Sequence, residues 1–264
     1  MPVSRAGTAY DLTGPQGAPV VAMIHGLGLT RGATYRKMIP ALADRYRVLS
    51  YDLCGHGESA IPSEEPSLTV LSEQLIALMD ELGIDQAALV GFSLGGMINR
   101  RVAMDHPGRV SALAILNSPH ERGEEQQRLV EERARDTSAG GPGATIDATL
   151  ERWFTPAFRA SRPEVLDEVR DVVMSNHHEN YAKHRYVLAA GVVELIRPDP
   201  PITHPTLIIT SERDSGQPPE MSHAIGSEIA GSQVIILPEL QHMGLVERPD
   251  LFAEPVKGFL RRVL

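Results

Sequence analysis

Short apolar runs alternate with helix-spaced patterns through most of the chain. Residues 20–24 (VVAMI) are β-branched and apolar, bounded by Pro19 and by His25-Gly26, which predicts a buried strand. A helical stretch follows over 34–43, and a second strand over 46–51 that ends at Asp52. Leu71, Leu75, Leu78, Met79 and Leu82 recur at helical spacing over 69–82, and Gly83 suits the helix end. Two further strand-like runs, 87–92 and 110–116, flank a helical pattern over 94–106. Such β-α-β alternation predicts a mostly parallel, doubly wound α/β sheet covered on both faces.

The pattern changes between about 119 and 201. There the chain is charged and helix-prone, broken by a flexible Gly140-Gly141-Pro142-Gly143 turn. It holds the single tryptophan, Trp153, and closes on Pro198, Pro200 and Pro201. The sheet pattern then resumes, with strands at 205–209 and 233–237 and helices at 219–230 and 249–263. The domain expectation is a core of 1–118 and 202–264 interrupted by a helical insertion, 119–201.

Composition narrows the function. The chain has 264 residues, 42% hydrophobic and 22% charged, enough for one α/β domain plus an insertion. Its net charge of −9 makes nucleic acid and anionic membrane surfaces poor partners. The single cysteine, Cys54, forbids an internal disulfide and fits a reducing compartment. No apolar stretch could span a bilayer, and residues 1–5 lack a signal-peptide pattern, so a cytoplasmic location is expected. A homodimer is left open.

Gly91-Phe92-Ser93-Leu94-Gly95 fits G-x-S-x-G, a pattern that is weakly specific alone. Its place between a predicted strand and a predicted helix is what a nucleophile elbow requires, and the following helix N-terminus favours negative charge developing beside the serine. A serine nucleophile needs a base, and the base an orienting carboxylate. Among ten histidines, His242 stands out because it follows the last predicted strand, at the sheet edge that carries the elbow. Asp214, beyond the 205–209 strand, is the preferred acid, with Glu212 in reserve. The other common acid position, after the strand ending at Leu116, holds Asn117, whose uncharged amide cannot stabilise an imidazolium as a carboxylate does.

The order Ser93, Asp214, His242 is that of the α/β-hydrolase fold superfamily, which the chain resembles, in particular its small esterases and lactonases of the β-ketoadipate enol-lactonase type. His25-Gly26-Leu27-Gly28 resembles the family's H-G-x-G loop. By that resemblance the backbone N–H groups of Leu27 and Leu94 form the oxyanion hole. Asp52-Leu53-Cys54-Gly55-His56-Gly57-Glu58-Ser59 resembles the D-x-R-G-x-G-x-S turn, but Cys54 stands at its arginine position, which leaves open the structural ion pair made there. His242 to Pro249 resembles the segment that carries the family's histidine. The resemblance covers 20–97 and 206–260 well and the insertion poorly, and it implies a helical cap inserted after the sixth strand.

The resemblance also implies hydrolysis of an ester or lactone of a small metabolite through an acyl-enzyme, with no metal and no organic cofactor. The insertion would choose the substrate, with Trp153, Phe154, His177, Tyr181, His184 and Arg185 as candidate lining residues. A basic patch there could hold an anionic substrate despite the net charge. His25 and His56 read as structural. Ser93 argues against a dehalogenase, which would use aspartate. Two alternatives stand beside the esterase reading: a C–C bond hydrolase of a ring-cleavage diketone, and a non-catalytic ligand-binding member of the fold.

Overall fold

The computed structural model describes residues 2–136 and 140–264, so Met1 and residues 137–139 of the expected insertion lie outside the described residues. The described residues form a seven-stranded sheet of β1 (Tyr10–Thr13), β2 (Val20–Ile24), β3 (Arg47–Tyr51), β4 (Ala87–Phe92), β5 (Val110–Leu116), β6 (Thr206–Ser211) and β7 (Gln233–Leu237). Their spatial order is β1-β3-β2-β4-β5-β6-β7. Only β1 runs antiparallel, paired with β3 through Tyr10 to Tyr51 and Thr13 to Val48. The central strands are buried along nearly their whole length. That is why they read as unbroken apolar runs rather than alternating ones.

Helices cover the sheet. The expected 34–43 helix is two short ones, α1 (Arg31–Tyr35) and α2 (Ile39–Ala43). They are followed by α3 (Leu68–Glu81), whose first turn is capped by the Ser67 hydroxyl accepting from Val70 N–H at 3.1 Å, and by α4 (Leu94–Asp105). Between β5 and β6 lie the helices α5 (Glu124–Asp136), α6 (Ile146–Trp153), α7 (Pro156–Ser161), α8 (Pro163–Met174) and α9 (His178–Ala190). The sheet then resumes with α10 (Pro219–Glu228), the short α11 (Gly244–Glu247) and α12 (Pro249–Val263). No helix among the described residues is long and apolar enough to cross a membrane.

Two differences from the sequence expectation have simple causes. β1 is a short, half-buried edge strand of mixed polarity (YDLT), too weak a pattern to stand out. The helical insertion also follows the fifth strand of this chain, not the sixth. Ahead of β1 the described residues make only an isolated bridge between Val3 and Ala9 in place of a further strand.

The Cys54 departure is answered from elsewhere. Arg31, at the start of α1, ion-pairs with the buried Asp52 through Nη1, with Glu58 at 2.8 Å and with Asp11 at 2.6 Å. Asp52 also accepts from the backbone N–H groups of Arg31 at 2.9 Å and Glu58 at 3.1 Å. A guanidinium therefore braces this turn, from the start of α1 rather than from position 54. Removing one member of a buried pair strands the other charge. Asp52→Ala is expected to cost about 3 kcal/mol, the low end for such pairs because Asp11 and Glu58 still face Arg31. Urea denaturation checks this, and a cost within experimental error of zero would contradict the bracing role.

Candidate active site

Ser93 occupies the junction between β4 and α4 in a left-handed conformation, φ 55° and ψ −112°. A side-chain-bearing residue rarely adopts such a backbone unless its surroundings enforce it. Here they do. A Cβ on Gly91 would collide with the carbonyl of Gly95, and one on Gly95 would collide with the carbonyl of Ile24 at the end of β2. The elbow is pinned from β5 as well: Ser93 N–H donates to Leu116 C=O at 2.8 Å, and the Ser118 hydroxyl donates to Ser93 C=O at 3.0 Å.

His242 lies in the loop after β7, buried to 6% exposure, and its Nδ1 is 2.6 Å from Asp214 Oδ2. Asp214, beyond β6, is 2% exposed, and its Oδ1 accepts from Gly216 N–H at 3.1 Å and Gln217 N–H at 3.0 Å. Burial opposes ionisation of this carboxyl. The His242 charge and hydrogen bond, the Asn117 amide and the Gln217 N–H outweigh that and hold it below the ordinary carboxylate range. Glu212, the reserve acid, points outward and accepts from Glu239 N–H at 2.9 Å.

Asn117 is the residue that the sequence undervalues. Unfit to replace the acid, it instead supports it: it is fully buried, has φ 44°, and donates from Nδ2 to Asp214 Oδ2 at 2.8 Å. It shares that oxygen with His242. Adjacent residues at the end of β5 thus hold both sides of the site, Asn117 the carboxylate and Ser118 the serine backbone. A polar pair ending a buried strand at the edge that carries an elbow is the available signal.

Ser93, Asp214 and His242 line one cavity of about 400 Å³, together with Gly26, Leu27, Phe92 and residues of the helical insertion. Leu27, in the loop after β2, and Leu94, the residue after the serine and the first of α4, are both buried. The Leu94 N–H belongs to the first turn of α4, where backbone donors have no intrahelical acceptor. His25 shapes the Leu27 loop: its Nδ1 bonds Gly26 C=O at 2.8 Å while its Nε2 accepts from Leu53 N–H at 2.9 Å. Burial pulls its pKa down to about 4, so the ring is neutral near pH 7.

Of the candidate insertion residues, Trp153, Tyr181 and Arg185 reach the cavity wall. The other three do not. Phe154 follows the end of α6 and turns into the core, stacked on Phe158 at 5.4 Å. His184 sits on the face of α9 that packs against the core, its ring 4.7 Å from His56, and is fully buried. His177 precedes α9 on extended backbone, is exposed and does not line the cavity. Arg122, Arg133, Arg152 and Gln217 join the wall instead.

The insertion also grips the histidine loop. Met243 N–H donates to Trp153 C=O at 2.8 Å, and Gln241 Nε2 donates to the carbonyls of Glu151 and Arg152 at 3.2 Å each. The residues on both sides of His242 are therefore held by the last turn of α6, and the Trp153 ring lies 5.9 Å from the imidazole.

Comparison with known proteins agrees with this architecture. A family model described as the alpha/beta hydrolase fold matches residues 19–137. A Klebsiella pneumoniae subsp. pneumoniae protein named as a candidate carbamate hydrolase, RutD, is 34% identical, over 94% of this chain and 93% of its own length. The 3-oxoadipate enol-lactonase 2 of Acinetobacter baylyi is 28% identical, over 96% of this chain and 92% of its own. The crystal structure of the enol-lactonase from Burkholderia xenovorans superposes with a TM-score of 0.88 at 30% identity, covering 96% of each chain.

The Asn117 contact has a measurable consequence. Asn117→Gly removes the donor yet tolerates the left-handed backbone. A carboxyl with a lowered folded pKa contributes stability that is complete above its unfolded value of about 3.9 and is lost as pH falls through the folded value. With one donor fewer, the folded value rises and that loss begins at higher pH. Carbon-13 NMR titration of Asp214 should show the rise, and an unchanged pKa would mean that the amide contributes nothing.

Proposed function

The chain belongs to the α/β-hydrolase fold family, and from that premise we propose that it is a serine hydrolase cleaving an ester or lactone bond of a small metabolite. One observation carries the reading. A left-handed serine at a helix N-terminus and an imidazole held by a buried carboxylate open onto the same cavity. Residues 119–201 act in this reading as a cap over that cavity.

The chemistry can be built from the geometry. Asp214 holds Nδ1–H of His242, leaving Nε2 as the basic nitrogen that takes the Ser93 proton. The serine oxygen attacks the carbonyl carbon, and the Leu27 and Leu94 N–H groups stabilise the resulting oxyanion. The proton passes from His242 to the leaving oxygen as the acyl–oxygen bond breaks. Water, deprotonated by the same imidazole, then releases the acyl group and restores Ser93. Asp214 stays ionised and stabilises the imidazolium, which its lowered pKa favours.

Ser93→Ala is expected to abolish labelling by a fluorophosphonate probe and to lower ester turnover roughly ten-thousandfold or more. Labelling that survives the substitution would overturn the nucleophile assignment. A panel of p-nitrophenyl esters, enol-lactones, aryl carbamates and ring-cleavage diketones sorts the bond cleaved. Turnover of the esters and lactones is the expected result, and activity on diketones alone would replace this reading with C–C hydrolysis.

A further inference from the structure

A guanidinium is buried beside the segment that holds Ser93. Arg100, on the second turn of α4, is 2% exposed, and among the described residues no carboxylate pairs with it directly. Its Nε donates to Gly96 C=O at 3.1 Å, and its Nη2 donates to Pro119 C=O at 2.6 Å and to the Ser118 hydroxyl oxygen at 3.4 Å. Burial pulls its pKa down to about 10, against the charge of Glu228, so the group is still cationic near pH 7. Keeping an ion in the interior among neutral acceptors is costly, and an apolar side chain would fill the same volume without that cost. The arrangement calls for a task that a charge performs.

Ser118 provides one. Its hydroxyl has a single hydrogen, which goes to Ser93 C=O at 3.0 Å. A hydroxyl rotates to suit its neighbours, and a cation on its lone-pair side turns the hydrogen the other way. The charge also polarises the O–H and strengthens the bond it donates. Gly96 leaves room for this contact, since a Cβ there would come within 2.6 Å of Ser118 Cβ and 2.7 Å of its Oγ. Gly96 N–H is the second donor to Ser93 C=O, also at 3.0 Å. Both residues that bond the Ser93 carbonyl are thus themselves held by one guanidinium.

We propose that Arg100 is a positioning residue for the Ser93 nucleophile, acting through Ser118: the guanidinium directs the Ser118 hydroxyl onto the Ser93 carbonyl and so fixes the strained backbone from which the reacting side chain projects. The inference rests on the hydrolase reading above for the role of Ser93. Neither Arg100 nor Ser118 lines the cavity, so the effect falls on the rate of attack and not on substrate binding.

Three substitutions test this with p-nitrophenyl butyrate as substrate. Arg100→Met removes the charge at similar length, Ser118→Ala removes the hydroxyl, and Arg100→Lys keeps a charge without the fork of donors. The Met and Ala variants are expected to lose about ten- to a hundredfold in kcat with KM nearly unchanged, and the Lys variant should be intermediate. Arg100→Met combined with Ser118→Ala should be no slower than Ser118→Ala alone, because the charge acts through that hydroxyl. The carbon-13 NMR shift of the Ser93 carbonyl reads the same bond without turnover and should move in both Arg100→Met and Ser118→Ala. Wild-type kcat in an Arg100→Met protein that has lost only urea stability makes the guanidinium a packing element and overturns the proposal, as do losses that add in the double variant. Should Arg100→Met fail to fold, Arg100→Lys decides, and wild-type values there of both kcat and the carbonyl shift overturn it. A wild-type protein that turns over no ester and takes no fluorophosphonate label overturns the hydrolase reading and the nucleophile role with it, whereas normal wild-type turnover beside an unaffected Arg100→Met overturns the positioning role alone.

Discussion

Everything in the site depends on how closely the turn after β4 approaches its neighbours. Gly91 and Gly95 face backbone carbonyls across gaps that a Cβ would close, one within the elbow and one on β2. This packing forces Ser93 into φ 55° and lifts it off the sheet edge at the start of α4. Strain of this kind persists only where surrounding bonds over-determine it. The Ser93 N–H to Leu116 and the Ser118 hydroxyl to the Ser93 carbonyl supply that fixation from β5. Fixing the serine backbone is a task for the sheet, and the sheet meets it with neighbouring strands.

A second consequence is electrostatic. At the elbow edge the sheet concentrates buried polar groups, which are tolerated only when bonded. Asp214 collects donors from His242, Asn117, Gly216 and Gln217, so it is ionised although almost inaccessible. Asp52 also gathers donors, from the Arg31 guanidinium and the N–H groups of Arg31 and Glu58. His25 is handled oppositely: bonded at both nitrogens and held neutral, it ties the Leu27 loop to the Asp52 turn. One edge of the sheet thereby carries a charged carboxylate for the imidazole and an uncharged imidazole for the backbone.

The helical insertion is bonded to the loops that carry the site. Its α6 carbonyls hold the residues on either side of His242, and Thr155, just beyond α6, donates its N–H and hydroxyl to Glu247 at 2.7 and 2.8 Å. At its other end Asn176 and Asn180 donate to the carbonyls of Gly28 and Gly55, in the two loops that His25 connects. The same segment brings arginines to the cavity wall. The segment that lines part of the cavity therefore also supports the loop of His242.

By itself the sequence marked six of the seven strands, the turn at Ser93 and three residues that meet in one cavity. Unbroken apolar runs marked β2, β4, β5 and β6, because strands buried on both faces carry no polar alternation. Glycines flanking Ser93, and the positions of Asp214 and His242 past strand ends, were legible because parallel connections put those ends on one edge. Tertiary structure alone decided the rest. Asn117 has no local signature as a partner of Asp214, since that bond joins residues 97 apart in the chain. The Arg31 pair with Asp52 supplies, from the start of α1, the guanidinium that position 54 lacks. In the insertion the sequence could not say which side chains meet the cavity: Phe154, His177 and His184 stay off its wall, while Arg122 and Arg152, which were not among the candidates, join it. A helix's periodicity fixes which residues share a face, but the orientation of that face depends on packing against distant segments, which no local pattern encodes.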